Sequence, residues 1–444
     1  MTTRRQFMVM GAATPLVVAF SAKAASPAGS RPMPTPEQVA WHDAEIGMFF
    51  HWDIHVQRHT VDGKPRALPE GTTNVPASFF NPERLDTDQW MEAVKALGAK
   101  YASLTAKHGS GFMHWQSNAY DYGMRQAAYR DGRGDVVKMF VESCRKAGIK
   151  PGLYLSFDNN HYMRVGRFKA KDAEALANYK RVCVQMASEV WGNYGDLFEI
   201  WIDGGLPPKE WDLDLRPLIE RYQPRTIVFG ADKVRHPLTW AENEEGFARY
   251  PAWSVRNGIW CPTECPVPLQ RHYKWFWTPG CQAFNRSYEE LVAMYYHTVG
   301  RNANLLLGAT PGPDGAIPQH DIDLYTAVGK GINARFGKPI GTVSGEGDSV
   351  TLTLPTVSEV NQMSVREDIG RGGERIRAYL VEGHMPDGAW MPLCAGTSVG
   401  HCRIDMFEKT AVSALRLTAL RSDDKPLIRD FKAYYVDDWR PVIV

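Results

Sequence analysis

The 444-residue chain has almost no excess of either charge, since 51 lysines and arginines stand against 50 aspartates and glutamates. A chain without a basic excess offers no electrostatic footprint for nucleic acid or for an anionic membrane surface. Beyond the N-terminal segment no apolar run is long enough to cross a bilayer. We therefore expect neither nucleic acid nor a membrane span.

Cysteine is scarce and unpatterned. The seven cysteines are odd in number and widely spaced, and no two CxxC units form a zinc-like pair. Cys261 and Cys265 flank Glu264, but no histidines follow in a metal-binding pattern. No GxGxxG follows the first apolar strand either, so a dinucleotide fold is unsupported. We expect no metal and no organic cofactor, and the sequence assigns no disulfide.

The first residues have the pattern of an export signal. Arg4-Arg5 precedes an apolar stretch that ends near Phe20, and Ala22-Lys23-Ala24 supplies a cleavage site of small residues. This pattern predicts a twin-arginine-type signal peptide over residues 1–24, a linker over 25–36, and a bacterial periplasmic or secreted protein. A chance basic N-terminus is the alternative.

Strands and helices alternate through the next three hundred residues. This alternation predicts a catalytic (β/α)8-like barrel over residues 37–338, within the α/β class. The predicted buried strands are 46–52, 100–106, 150–156, 197–203, 226–230 and 303–308, and the predicted helices include 87–97, 135–147 and 173–194.

The pattern changes after Pro339. Residues 350–354, 375–382, 411–420 and 428–436 are β-rich and are separated by Gly, Asp and Pro. Helical periodicity fades over the same stretch, which is typical of antiparallel architecture. We expect a C-terminal antiparallel β-sandwich over residues 339–444.

One carboxylate occupies a functional position within the predicted barrel. The apolar run 197–203 ends in Asp203, and Gly204-Gly205 follow immediately. Strand ends and the loops after them build the active sites of such barrels. Asp203 either caps the following turn or belongs to a catalytic centre.

Polar and aromatic residues collect at the other predicted strand ends. Aromatic rings stack on the C–H faces of sugars, while His, Tyr and carboxylate groups bond their hydroxyls. Glycosidic cleavage also needs two carboxyl groups in different protonation states. These requirements indicate a sugar site, and the residues in question are His51, Trp52, His108, Tyr154, Ser156, Trp201, Asp203, Glu264 and Trp275.

Several ordered blocks resemble one family, the α-L-fucosidases of glycoside hydrolase family 29. The resemblance covers nearly the whole chain after the export signal, including the tail after residue 365. The blocks are residues 41–52 with His51-Trp52, 98–108 with Gly111-Phe112, 152–156, Trp201-Ile202-Asp203-Gly204-Gly205, and 300–307 with Asp314-Gly315.

The resemblance implies a role for each site residue. Asp203 takes the place of the nucleophile, and Glu264 that of the acid/base in the subgroup that carries this glutamate after the fifth barrel strand. Glu242, Glu244 and Glu245 are the local rivals of Glu264. The residues that fall at the sugar contacts are His51, Trp52, His108, Tyr154, Trp201 and Trp275.

The chain departs from the family pattern beside the sugar contacts. Where the family commonly reads Lys-His-His-Asp-Gly-Phe, this chain reads Lys107-His108-Gly109-Ser110-Gly111-Phe112, and Asp53 replaces a glycine after His51-Trp52. One residue also stands inserted between Arg271 and Trp275. A lost hydrogen bond to a hydroxyl costs about 1–3 kcal/mol unless a neighbour compensates, so these departures concern the glycone more than the chemistry.

The resemblance implies an exo-acting retaining α-L-fucosidase that hydrolyses terminal α-L-fucosyl linkages of oligosaccharides or glycans. Two alternatives stay open. One is a retaining glycosidase for a fucose-related glycone such as α-L-galactose, and the other is a non-catalytic carbohydrate-binding protein on the same scaffold. The sequence leaves the linkage and the oligomeric state open.

Overall fold

The computed structural model describes residues 31–61, 64–65, 75–272 and 274–437. The predicted signal peptide and residues 25–30 of the predicted linker lie outside these ranges. The first helix, α1 (Pro36–His42), begins where Thr35 accepts a hydrogen bond from Gln38 N, and proline occupies its first position.

Eight parallel strands form the barrel, and their order in space follows their order in the chain. The edge strands β5 and β6 are joined through the segment before β6, where Val228 N donates to His236 O at 2.9 Å and Leu238 N donates to Val228 O at 2.8 Å. The predicted barrel is therefore confirmed. Its strands are β1 (Ile46–Phe50), β2 (Tyr101–Lys107), β3 (Lys150–Ser156), β4 (Glu199–Asp203), β5 (Ile227–Phe229), β6 (Thr239–Trp240), β7 (Thr263–Val267) and β8 (Ala303–Ala309).

Two barrel strands have no clear signal in the sequence. β6 is only two residues long, which is too short for any periodicity. β7 contains Pro266, a residue that argues against a central strand because it cannot donate to the ladder. For these reasons neither β6 nor β7 is among the strands predicted from the sequence.

Most of the helices begin at side-chain caps, and they cover the outside of the barrel. Asp86 and Asp135 accept backbone hydrogen bonds at the starts of α2 and α3, and Gly98 and Gly148 end these helices in the left-handed conformation. The helices after α1 are α2 (Thr87–Leu97), α3 (Val136–Ala147), α4 (Ala173–Gly192), α5 (Arg216–Tyr222), α6 (Tyr288–His297), α7 (Gln319–Phe336) and the short α8 (Ile369–Gly372) in the tail.

The tail is antiparallel, as predicted, and its six strands form one continuous hydrogen-bonded sheet in the order β9-β14-β10-β13-β11-β12. The two longest strands shift register along their length, which lets the sheet bend around its own apolar core. The strands are β9 (Gly341–Glu346), β10 (Ser349–Glu367), β11 (Ile376–His384), β12 (Trp390–Gly396), β13 (Arg403–Ser422) and β14 (Leu427–Tyr434).

The tail is attached to the barrel where the strands begin, at the end opposite the strand ends that build active sites. Arg366 of β10 contacts Glu45, which precedes β1. Asn302, which precedes β8, donates to Glu374 at 2.5 Å and accepts from His401 N at 2.7 Å. The tail therefore braces the base of the barrel.

Candidate active site

A cavity of about 420 Å³ lies at the carboxyl ends of the barrel strands. Its volume suits a small-molecule ligand. Strands from both halves of the barrel contribute to its wall, and two carboxyl groups face it, those of Asp203 and Glu244. The cavity is where the sequence predicted the functional site.

Asp203 is the last residue of β4, and its carboxylate is fixed by the neighbouring strand. The hydroxyl of Tyr154 donates to Oδ2 of Asp203 at 2.6 Å. The chain then turns at Gly204, whose φ is 70° and where a Cβ would lie 2.4 Å from Cγ of Asp158. Only glycine meets both conditions, which explains why this strand ends in Asp-Gly.

Stacked aromatic rings form the floor of the cavity. The indole of Trp201 lies between Phe229, with ring centroids 3.9 Å apart, and Tyr154, with centroids 5.6 Å apart. Both pairs are within 18° of parallel. Such a stack keeps the Trp201 ring in one orientation and offers an apolar surface to a ligand.

Two histidines line the cavity above this floor. The ring of His108 stacks on Tyr154 with centroids 5.5 Å apart, and His51 lies 4.5 Å from the ring of Trp275. Burial lowers the pKa of His51 well below its ordinary value and lowers the pKa of His108 to about 4. Both imidazoles are therefore neutral at pH 7, and each offers one donor and one acceptor to a hydroxyl-rich ligand.

Glu264 does not line the cavity but lies beneath its floor, fully buried inside the barrel. Its carboxyl accepts hydrogen bonds from Tyr101 Oη at 2.8 Å and from Trp201 Nε1 at 3.0 Å. It also faces Glu199, which accepts from Ser103 Oγ at 2.6 Å. Burial and the nearby Glu199 charge raise the pKa of Glu264 well above its ordinary value, so the pair holds at least one proton.

The depth of Glu264 follows from strand geometry. Side chains alternate along a strand, so Glu264 and Pro266 of β7 both point into the interior of the barrel. Pro266 reaches the cavity, and Glu264 lies one layer deeper. The structure thus corrects the predicted position of Glu264, because the residue carries the floor of the site and does not face a ligand.

Glu244 is the second carboxyl group of the cavity. It follows β6 and accepts a hydrogen bond from Trp275 Nε1 at 2.8 Å. Burial raises the pKa of Glu244, and the charge of Asp203 raises it further, while the Trp275 bond opposes both. The two other rivals point elsewhere, since Glu242 pairs with Arg249 at 3.5 Å and Glu245 with Arg286 at 3.7 Å.

Trp52 is the second predicted site residue that the structure places elsewhere. Its side chain is fully buried, donates from Nε1 to Gly312 O at 3.1 Å and stacks on His114. The alternation that turns His51 into the cavity turns Trp52 outward, toward the helices. Trp52 therefore packs the barrel wall, which corrects its predicted contact with a sugar.

Ser156 does not line the cavity either, since its hydroxyl donates to Asp158 Oδ1 at 2.8 Å. The other six predicted residues share the cavity: Asp203, His51, His108, Tyr154, Trp201 and Trp275. The cavity is also lined by Phe49, Phe229 and Trp240, which the sequence patterns did not single out. The local signal for Trp240 is its place just before Glu242, Glu244 and Glu245, because β6 itself is too short to show periodicity. Within the described ranges, no three His, Cys, Asp or Glu side chains gather as a metal site, and no helix has the length and apolarity to span a membrane.

Two carboxyl groups, neutral hydroxyl-bonding histidines and an aromatic floor, set at the carboxyl ends of a parallel barrel, define the class of sugar-cleaving barrel enzymes. Comparison with known proteins gives the family. The family model described as Alpha-L-fucosidase matches residues 72–335. The chain therefore belongs to the alpha-L-fucosidase family of glycoside hydrolases, and the resemblance seen in the sequence is confirmed.

Individual relatives agree along most of the chain. A solved structure from Bacteroides thetaiotaomicron, described as a candidate alpha-L-fucosidase, is 37% identical with a TM-score of 0.85, covering 92% of this chain and 100% of its own. A glycoside hydrolase 29 family member from an unknown rumen bacterium is 26% identical with a TM-score of 0.77, over 92% and 78%. Alpha-L-fucosidase 1 of Arabidopsis thaliana is 26% identical, over 91% of this chain and 88% of its own.

Proposed function

We propose that this protein is an exo-acting retaining α-L-fucosidase in which Asp203 is the nucleophile and Glu244 the acid/base. One observation carries the proposal: these two carboxyl groups face one cavity, where burial and the charge of Asp203 raise the pKa of Glu244. A charged carboxylate beside a protonated carboxyl group is the arrangement that retaining cleavage needs.

In the first step Asp203 attacks the anomeric carbon while Glu244 donates its proton to the leaving oxygen. The Tyr154 hydroxyl holds Oδ2 of Asp203, so we assign the attack to Oδ1. A covalent glycosyl-enzyme results, and the leaving group departs with the proton of Glu244. No metal ion or organic cofactor takes part in this scheme.

In the second step water releases the sugar, and Glu244 acts as base. The ester formed on Asp203 carries no charge, so one of the three causes that raise the pKa of Glu244 disappears, while burial and the charge of Glu245 stay. The hydrogen bond from Trp275, which favours the charged carboxylate, stays. The pKa of Glu244 therefore falls in the intermediate, and the acid of the first step becomes the base of the second.

The remaining cavity residues suit a single terminal sugar. The stack of Tyr154, Trp201 and Phe229 forms an apolar floor beneath the sugar, and His51 and His108 contact its hydroxyl groups. The floor closes the cavity below the sugar, which supports exo action on the end of a glycan. Glu264 supports this floor through its hydrogen bond from Trp201.

The test is covalent trapping. Incubation with 2-deoxy-2-fluoro-L-fucosyl fluoride is expected to add one fluorofucosyl unit to the intact mass of the wild type and none to Asp203→Ala. Peptide mapping is expected to place the adduct on Asp203. Absence of an adduct, with turnover of α-L-galactosides in its place, would move the assignment to the alternative glycone. Binding of sugar without any turnover would indicate the non-catalytic alternative.

We also propose that the protein is exported, on the evidence of the Arg4-Arg5 segment. All seven cysteines lie in the described part of the chain and all are free thiols, which agrees with folding in a reducing cytoplasm before export. Replacing Arg4 and Arg5 by lysine is expected to retain the full-length protein in the cytoplasm, while the wild type appears in the periplasm shortened after Ala24. An unprocessed wild type would contradict the proposal.

A further inference from the structure

Trp240 lies at the mouth of the cavity and is 43% exposed, the only tryptophan in the described part of the chain that the structure leaves exposed. An exposed indole forgoes the stabilisation that its burial would give. A single exposed tryptophan is not unusual by itself. Trp240, however, lies at the end of β6 and on the wall of the cavity, where a bound ligand can contact its ring.

The ring of Trp240 is held in a defined orientation. Its Nε1 donates to Asn243 O at 3.1 Å. The side chain of Asn243 in turn donates to Ala241 O and to Phe247 O, each at 2.9 Å. The same short turn therefore fixes the indole and the backbone that carries Glu244.

The ring of Trp240 is partly open to solvent. Within the described residues, no aromatic ring stacks on Trp240 and no cation lies over it. Trp201 differs in this respect, since Tyr154 and Phe229 sandwich it at the floor. The cavity thus has two aromatic surfaces, one enclosed at its floor and one open at its mouth.

The position of Glu244 decides which part of a substrate meets Trp240. A general acid lies within hydrogen-bond reach of the oxygen that it protonates, so the leaving group passes over the turn that carries Glu244. The sugar that is cleaved off occupies the floor at Trp201. The next unit of the glycan therefore lies over the turn from Trp240 to Glu244.

We propose that Trp240 is the platform for the leaving-group sugar, a pyranose that presents a C–H face to the indole. This inference rests on the proposed function, because it takes Glu244 as the acid. Under this proposal the side chain of Trp240 gives the enzyme its preference for a glycan over a simple fucoside. Stacking of this kind contributes about 1 kcal/mol, so its loss is expected to reduce kcat/KM several-fold, up to about 10-fold.

The test compares two leaving groups. Wild type, Trp240→Ala and Trp240→Phe are assayed on a panel of fucosylated trisaccharides and on α-L-fucosyl fluoride, whose leaving group has no ring. In Trp240→Ala, the ratio of kcat/KM for the best trisaccharide to kcat/KM for the fluoride is expected to fall several-fold, up to about 10-fold, chiefly through KM. Trp240→Phe is expected to retain most of the ratio. Phe284→Ala, which removes an exposed ring outside the cavity, is the matched control and should leave the ratio unchanged.

Equal losses on both substrates would overturn the proposal, because they would show that Trp240 only holds the turn of Glu244. Unchanged kcat/KM values on both substrates would overturn it too, as would a wild type that hydrolyses the fluoride and none of the trisaccharides. A wild type that does not hydrolyse the fluoride would instead refute the proposed function, so the two failures are distinguishable.

Discussion

The hydroxyl of Ser110 donates a hydrogen bond to Oδ1 of Asp53 at 2.6 Å. Both residues are departures from the family pattern, and they lie in different segments of the chain, after β1 and after β2. Asp53 is fully buried and also accepts from Ile54 N at 2.7 Å, while its Oδ2 lies 3.4 Å from His55 Nδ1. The two departures therefore occur together beside the cavity, where the Ser110 hydroxyl supplies a hydrogen bond to the buried Asp53 carboxylate.

A double-mutant cycle tests this hydrogen bond. Ser110→Ala removes one partner of a buried carboxylate and is expected to lower the free energy of unfolding by about 1–3 kcal/mol. In Asp53→Ala the hydroxyl has lost its acceptor already, so adding Ser110→Ala should cost much less. Urea denaturation of the four proteins gives the coupling energy. Strictly additive effects would show that the contact contributes nothing to stability.

The roles of Glu244 and Glu264 are separable by azide rescue. Glu244→Ala is expected to lose on the order of 10²–10⁴-fold in kcat on poor leaving groups, because general acid catalysis is gone. Azide should restore turnover with an activated fucoside and yield α-L-fucosyl azide, since it attacks the glycosyl-enzyme from the face that water uses. Product configuration is read by NMR.

Glu264→Gln is the counterpart of this experiment. Gln is the neutral isostere of a protonated glutamate and still accepts from Trp201, so most of the activity should remain. Glu242→Gln changes an exposed carboxylate of the same turn as Glu244 and serves as the control. Severe loss in Glu264→Gln with azide rescue of Glu264→Ala would return the acid/base role to Glu264.

The pH dependence of activity should respond to Trp275. Its indole donates to Glu244 and thereby favours the charged carboxylate, which lowers the pKa of Glu244. Trp275→Phe removes the donor and keeps a ring, so the pKa of Glu244 should rise. The first step requires protonated Glu244, and the basic limb of kcat/KM should therefore move to higher pH. A shift to lower pH would exclude Glu244 as the group behind that limb.

The acid stability of the protein should depend on His108. Burial lowers the pKa of His108 to about 4, so between that value and the ordinary value of about 6.5 the unfolded chain binds a proton that the folded protein does not. The buried neutral His108 therefore contributes its full stabilisation above pH 6.5, and this stabilisation is lost as the pH falls toward 4. His108→Gln should narrow the difference in Tm between pH 7 and pH 5, measured by calorimetry.

The sequence by itself determined the barrel and the position of Asp203. Buried parallel strands are continuous apolar runs, and their periodicity and bounding residues are local properties of the chain. The glycines after Asp203 are also local, because the backbone conformation at Gly204 excludes other residues. The same holds for the antiparallel character of the tail, which shows in its alternation.

Only the tertiary structure decided which glutamate faces Asp203. Periodicity states which side of a strand a residue faces, but not how deep it lies along the barrel axis, and that depth separates Glu264 from Pro266. Glu244 follows a strand of two residues, which leaves no periodic signal in the sequence. The pairing of Ser110 with Asp53 likewise arises because adjacent parallel strands bring the loops after them together, and no local pattern contains that contact.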